Sequence, residues 1–87
     1  MIKAAHVRIE AHAAQRMIER GVTTAEVIKA MNDGDVIDRP TPPRFRFHAR
    51  LWMAKDNDWL HAIWAIERPK LVVVTIFWEN PKTRRGR

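Results

Sequence analysis

The hydrophobic period of the chain changes at Gly34, and this change constrains the fold more than any other feature. Before Gly34, apolar side chains recur at helical spacing; after it, they alternate with polar ones as in strands. The 87 residues suffice for one domain, so both kinds of element must share one core. We therefore predict an α+β fold, with two N-terminal helices packed on a curled antiparallel sheet of about four strands.

The ends of both predicted helices carry specific signals. The first helix covers Glu10 to Arg20, and Gly21 follows it at the position that favours a left-handed backbone. The second begins after Thr23, because Thr23 and Glu26 have the spacing of a capping box, and it ends at Gly34.

The apolar patterns after the helices predict the strands. They are Val36–Ile37, Arg44–Met53, Trp59–Ile66 and Leu71–Trp78, with a further short strand at Val7–Ile9. The last long strand is almost entirely apolar, which favours a central position in the sheet. This run is too short to cross a membrane as a helix, and the N-terminus has no signal-peptide pattern. Because the chain also lacks cysteine, we expect a soluble cytoplasmic protein without a membrane partner.

Positive charge is concentrated at the C-terminus. The chain has 16 basic and 10 acidic residues, which favours polyanionic partners. Four of the basic residues lie within the last six positions. We therefore predict a domain over residues 1–81 and a basic tail over 82–87, whose removal should leave the fold intact. In this tail Lys82, Arg84 and Arg85 are predicted to bind nucleic acid.

The strand predicted from Arg44 has two chemically different faces. Alternation places its basic side chains on one face, about 6.6 to 7 Å apart, and its apolar side chains on the other. The basic set is Arg44, Arg46, His48 and Arg50; the apolar set is Phe45, Phe47, Ala49 and Leu51. Arginine is the bidentate phosphate ligand, so the basic set is predicted to bind nucleic acid. The alternative is an edge strand whose charges prevent pairing with other strands.

A second candidate cluster lies on the first helix. His12, Arg16 and Arg20 have i, i+4, i+8 spacing and share one stripe. A histidine and two arginines could move a proton and hold a phosphodiester. The alternative is a solvated helix surface, in which the arginines pair with Glu10 and Glu19. His61 is interpreted as a structural residue of its strand.

Several chemistries are absent from the sequence. It has no zinc-ligand spacing, no phosphate-binding glycine loop and no nucleophile-elbow motif, so we predict no metal site and no cofactor. RNA carries its own nucleophile in the 2′-hydroxyl. A protein that binds it need only move protons and stabilise the charged phosphorane.

The helix motif resembles the N-terminal sequence of a bacterial family of unknown function. In that family a His is followed by an Arg, and then by an Arg-Gly pair that ends the helix. The likeness covers most of residues 10 to 80, and its segments here are Ala11–Thr23, Glu26–Val27, Asn32–Ile37 and Val73–Ile76. That family resembles the RelE-like superfamily of messenger-RNA-cleaving toxins and colicin-type ribonucleases. RelE-type toxins often have a tyrosine near the C-terminus, and this chain has none.

The resemblance implies a RelE-like fold with His12, Arg16, Arg20 and Thr75 at the catalytic positions. It also implies RNA as the partner, on or off the ribosome, and a cognate antitoxin protein. We therefore expect a metal-independent endoribonuclease toxin. The alternatives are a catalytically inactive module of the same fold that binds RNA or protein, and a purely structural role. We further predict that Thr75 lies in one concavity with the three helix residues, and that Phe45 and Phe47 are buried.

Overall fold

The computed structural model describes residues 1–43 and 45–84. Its helices are α1 (Ala11–Arg20) and α2 (Thr24–Asp33). Its strands are β1 (Val7–Ile9), β2 (Asp35–Asp38), β3 (Arg46–Met53), β4 (Asp58–Glu67) and β5 (Lys70–Trp78). Single 3₁₀ turns at Ala4–His6 and Ala54–Asp56 complete the described elements.

The five strands form one mixed sheet in the order β1-β5-β4-β3-β2. The α+β class is confirmed, but the prediction of about four antiparallel strands is wrong, because β1 joins as a fifth strand and pairs parallel to β5. Local patterning cannot reveal this pairing, since the partners lie at opposite ends of the chain. β5 is internal, as predicted, although the middle strand is β4.

The predicted helix ends are confirmed. Gly21 adopts a left-handed backbone with φ of 66° after α1. At the start of α2 the Glu26 amide donates to Thr23 Oγ1 (3.2 Å), and the Thr23 amide donates to Glu26 Oε1 (2.9 Å). Gly34 ends α2 with an extended backbone, so its role is close approach: a Cβ there would collide with the Ala30 carbonyl oxygen.

Both helices pack on one face of the sheet, which we call the helix face. Its core is formed by Ala13 and Met17 of α1, by Val27, Ala30 and Met31 of α2, and by Ala49, Leu60, Ala62, Trp64, Val73, Ile76 and Trp78 of the strands. The opposite side is the open face. Alternation and register place on it Arg46, His48, Arg50, Trp52, Trp59, His61, Ile63, Thr75 and Phe77.

The start of β3 differs from the prediction. The described strand begins at Arg46; Arg44 lies outside the described residues. Phe45 has a positive φ of 53° and is 55% exposed, so the prediction that it is buried is wrong. The left-handed backbone at Phe45 interrupts the alternation before the strand begins. Phe47 does pack against the core, and its ring stacks on Trp64 with 5.2 Å between centroids.

Within the described part of the chain, no helix is long and apolar enough to cross a membrane.

Candidate functional site

The basic side chains of β3 share the open face. Arg46, His48 and Arg50 alternate with Phe47, Ala49 and Leu51, which face the core, so the predicted two-faced pattern is confirmed from Arg46 onward. β3 lies between β2 and β4 and is therefore not an edge strand. The edge-protection alternative is wrong, and the basic side chains need another explanation.

Two histidines and a carboxylate form a hydrogen-bonded chain across this face, which we call the histidine chain. Nε2 of His48 lies 2.8 Å from Nδ1 of His61, and Nε2 of His61 lies 3.1 Å from Oε1 of Glu79. His48 comes from β3 and His61 from β4, while Glu79 directly follows β5. Three neighbouring segments of the sheet thus contribute one residue each.

The carboxylate determines where the protons lie when both histidines are neutral. A carboxylate only accepts hydrogen bonds, so Nε2 of His61 carries the proton and donates it to Glu79. Nδ1 of His61 is then an acceptor, and Nε2 of His48 must be its donor. The remaining nitrogen, Nδ1 of His48, keeps its lone pair and has no hydrogen-bond partner among residues 1–43 and 45–84. The chain therefore presents one defined proton acceptor.

The pKa of His48 is lowered from its ordinary value of 6.5. Burial of the ring is the main cause, the neighbouring His61 lowers the pKa further, and Asp38 offsets part of the effect. His48 is consequently neutral at pH 7, which is the form that can accept a proton.

Aromatic rings and Arg50 surround the histidine chain. The His61 ring stacks on Phe77 with 4.5 Å between centroids, and the Arg50 guanidinium lies 4.2 Å from the centre of the Trp59 ring. Nη1 of Arg50 is 3.7 Å from Glu79, too far for a hydrogen bond. Arg50 is therefore held by stacking and by a loose ion pair, which leaves its charge available to a phosphate.

A concavity of about 320 Å³ adjoins His48. The open face forms its floor through Arg46, His48 and Ile63. Its wall is formed by Asp38, Arg39, Thr41, Pro42 and Pro43. No group of three or more His, Cys, Asp or Glu side chains within residues 1–43 and 45–84 is arranged to hold a metal ion.

The helix cluster lies on the other side of the sheet. His12 is exposed on α1; Arg16 forms an ion pair with Glu19 at 3.2 Å, and the backbone carbonyl of Arg20 accepts a hydrogen bond from Trp78. The Arg16–Glu19 pair is the surface pairing weighed as the alternative. A catalytic role for His12 stays a prediction.

Thr75 does not meet the helix residues, so the predicted concavity is wrong. Strict alternation would place Thr75 on the helix face together with Val73. A β-bulge shifts the register where Ile63 and Trp64 face β5, so that Val73 pairs with Trp64 and Thr75 with Ile63. The extra residue turns Thr75 to the open face.

The C-terminal segment is partly built into the fold. Arg84 donates to Glu26 Oε2 (2.7 Å), to Asp56 Oδ1 (2.6 Å) and to the Gly21 carbonyl (2.6 Å), a set that we call the Arg84 clamp. The side chain of Thr83 donates to Asp58. The packed chain therefore continues to Arg84, past the predicted boundary at residue 81, so we now expect removal of the tail to cost stability. Lys82 is exposed, and Arg85 lies outside the described residues.

Comparison with protein families gives one match. A family model described as a domain of unknown function (DUF4258) matches residues 9–78. The chain belongs to this family. A search of the curated proteins found no match, and neither did a search of the solved structures.

The matched region of this DUF4258 domain includes His48 and His61 of the histidine chain, but it ends one residue before Glu79. Sequence reasoning missed His61 as a site residue. The signal was the short gap between the predicted strands Arg44–Met53 and Trp59–Ile66. Once a hairpin turn in this gap sets the register, His61 lies opposite Arg50 and diagonal to His48. Glu79 carried no signal, because its position depends on the end of β5.

Proposed function

We propose that this DUF4258 domain binds RNA on its open face and cleaves it without a metal ion, with His48 as the general base. The observation that carries the proposal is the histidine chain, which presents an unprotonated nitrogen between Arg46 and Arg50 on a face that neither helix covers. The proposed site is thus the sheet, not the α1 motif that first indicated a ribonuclease.

The reaction would use the 2′-hydroxyl of the RNA as nucleophile. Its proton passes to Nδ1 of His48, and the 2′-oxygen forms a bond to phosphorus while the bond from phosphorus to the 5′-oxygen breaks. The leaving 5′-oxygen takes a proton from water. The products are a 2′,3′-cyclic phosphate and a 5′-hydroxyl, and Glu79 stabilises the positive charge through His61.

Arg46 and Arg50 would bind the phosphate and its developing charge. They lie on either side of His48 along β3, so a phosphate held between them lies near the base. Exposed rings extend this surface, since Trp52 is 45% and Phe77 37% exposed. Single-stranded RNA is commonly held by stacking of its bases on such rings.

The same proposal includes that the domain is related to the RelE-like ribonuclease toxins. In this view the domain is the toxin of a toxin–antitoxin pair, its RNA is a messenger free or on the ribosome, and an antitoxin protein covers the open face. Induction in bacteria tests this view, with a His48→Ala variant expressed at the same level. We expect growth arrest from the wild type only; equal growth of both strains would contradict the toxin role.

Binding without cleavage is the second candidate. The exposed rings of Trp52 and Phe77, which share the open face with Arg50, favour it, because they serve binding and need no proton transfer.

Cleavage of a labelled RNA in EDTA separates the two candidates. We expect the wild type to form 2′,3′-cyclic phosphate ends and to leave a 2′-deoxy substrate uncut. His48→Ala should lose cleavage by at least about 10²-fold with its melting temperature retained. His12→Ala is the matched histidine control and should keep full activity. If His12→Ala loses cleavage and His48→Ala keeps it, the catalytic site lies on α1. If the wild type binds RNA without cleaving it, the domain is a binding module.

A further inference from the structure

The concavity beside His48 has the dimensions of a small ligand site. Its volume of about 320 Å³ lies at the low end of the range for such sites. It is bounded by Pro42 and Pro43 on one side and by Ile63 on the other, and Asp38 and Arg39 contribute polar groups. Apolar side chains next to charged ones suit a flat heterocycle, whose faces are apolar and whose edge forms hydrogen bonds.

Asp38 lines this concavity, and its carboxylate is held by the backbone of the next residue. Its Oδ1 accepts a hydrogen bond from the Arg39 amide at 2.9 Å, which restrains the carboxylate. Each carboxylate oxygen has two acceptor positions, so both oxygens can still accept hydrogen bonds from a ligand. The concavity therefore combines this carboxylate acceptor with the guanidinium donors of Arg39.

We propose that this concavity seats one nucleobase of the RNA substrate next to the scissile phosphate, and that it prefers guanine. The proposal rests on the function proposed above, since His48 borders both the concavity and the histidine chain. A base seated here would bring its own ribose close to His48.

The preference for guanine follows from donor and acceptor matching. Guanine offers two adjacent donors, N1–H and the 2-amino group, to a carboxylate, and its O6 and N7 are the bidentate acceptors that arginine recognises. Adenine and cytosine each offer only an amino group as donor on this edge, and uracil offers a single ring N–H. The pairing of Asp38 with an arginine thus fits guanine best.

Mapping of cleavage ends in a random-sequence RNA tests the proposal with three proteins. These are the wild type, Asp38→Asn, and Asp35→Asn, which changes a carboxylate on the same strand that does not line the concavity. We expect the cleavage ends made by the wild type to concentrate beside guanine. Asp38→Asn should still cleave, but its preference for guanine should be about tenfold lower. Asp35→Asn should retain the wild-type preference. Cleavage by the wild type without base preference, or an unchanged preference in Asp38→Asn, would overturn the proposal.

Titration with mononucleotides separates this proposal from the proposed ribonuclease activity. We expect GMP to shift the NMR signals of Ile63 and His48 at lower concentration than UMP, and we expect Asp38→Asn to remove the difference. Equal or absent shifts while RNA is still cleaved would refute the guanine site alone. GMP binding with unchanged cleavage preference in Asp38→Asn would mean a site for free nucleotides and would also overturn the proposal. If the protein binds GMP selectively but does not cleave RNA, the proposed ribonuclease activity is refuted. The proposal that the concavity holds a base of the RNA substrate is then refuted as well.

Discussion

Replacement of Arg84 by methionine should destabilise the domain far more than replacement of the exposed Lys82 nearby. The Arg84 clamp joins the start of α2 to the turn before β4, and its side chains are only 19% (Arg84), 15% (Glu26) and 9% (Asp56) exposed. Burial alone would raise the pKa of Glu26, but hydrogen bonds from Arg84 and from the Thr23 amide outweigh it, so that the pKa is lowered. Methionine would leave two carboxylates enclosed without their cation.

The size of the effect follows from this geometry. Removal of one partner of a buried ion pair costs about 3–5 kcal/mol, and the remaining exposure of the clamp favours the lower end, about 3 kcal/mol. In a domain of this size each kcal/mol lowers the melting temperature by about 4–8 °C, so we expect a decrease of about 12–24 °C. Arg84→Lys keeps the charge but has too few fixed donors for both carboxylates and the Gly21 carbonyl, so it should show an intermediate loss.

Urea and thermal unfolding monitored by tryptophan fluorescence measure this loss. Lys82→Met is the matched control, because it removes an exposed cation two residues away and should change stability by no more than about 0.5 kcal/mol. A loss below about 1 kcal/mol in Arg84→Met would refute the role of the clamp in stabilising the fold.

Three further predictions concern stability and binding. The pKa values of Glu26 and Asp58 are lowered in the folded state, because their hydrogen bonds outweigh burial. The free energy of unfolding should therefore be highest above about pH 4.5 and decrease on acidification. Urea unfolding from about pH 3 to 7 measures this, and a free energy of unfolding that does not change with pH would contradict it. Gly34→Ala should lose about 1–3 kcal/mol, since the new Cβ meets the Ala30 carbonyl oxygen, and an unchanged melting temperature would disprove the close approach. RNA affinity should decrease steeply with salt, and Arg46→Gln should reduce the logarithmic slope by about one; an unaltered slope would exclude a phosphate contact at Arg46.

Local signals predicted the parts of the fold that neighbouring residues determine. The cap at Thr23 and the two-faced pattern of β3 depend on residues a few positions apart, and both are confirmed. The placement of Thr75 depends on a bulge, and the parallel pairing of β1 depends on residues at the other end of the chain. Neither is encoded in local periodicity.

The candidate site could be predicted only in part for the same reason. His48 and its arginines followed from alternation along one strand. The hydrogen bonds from His48 to His61 and from His61 to Glu79 depend on how three segments of the sheet align. The register of the β3–β4 hairpin, which brings His61 near His48, was not considered in the sequence prediction. The tail was misjudged because composition shows that Arg84 is basic, but not that two carboxylates enclose it.

The rate of RNA cleavage as a function of pH, in EDTA, tests the role of His48 most directly. The neutral ring is the proposed base, and burial together with His61 lowers its pKa. We expect the logarithm of the wild-type rate to rise with unit slope at acidic pH and to level off below pH 6.5, the ordinary pKa of histidine. The His48→Ala variant should lack this acidic limb. A midpoint above 6.5, or the same acidic limb in His48→Ala, would contradict His48 as the general base.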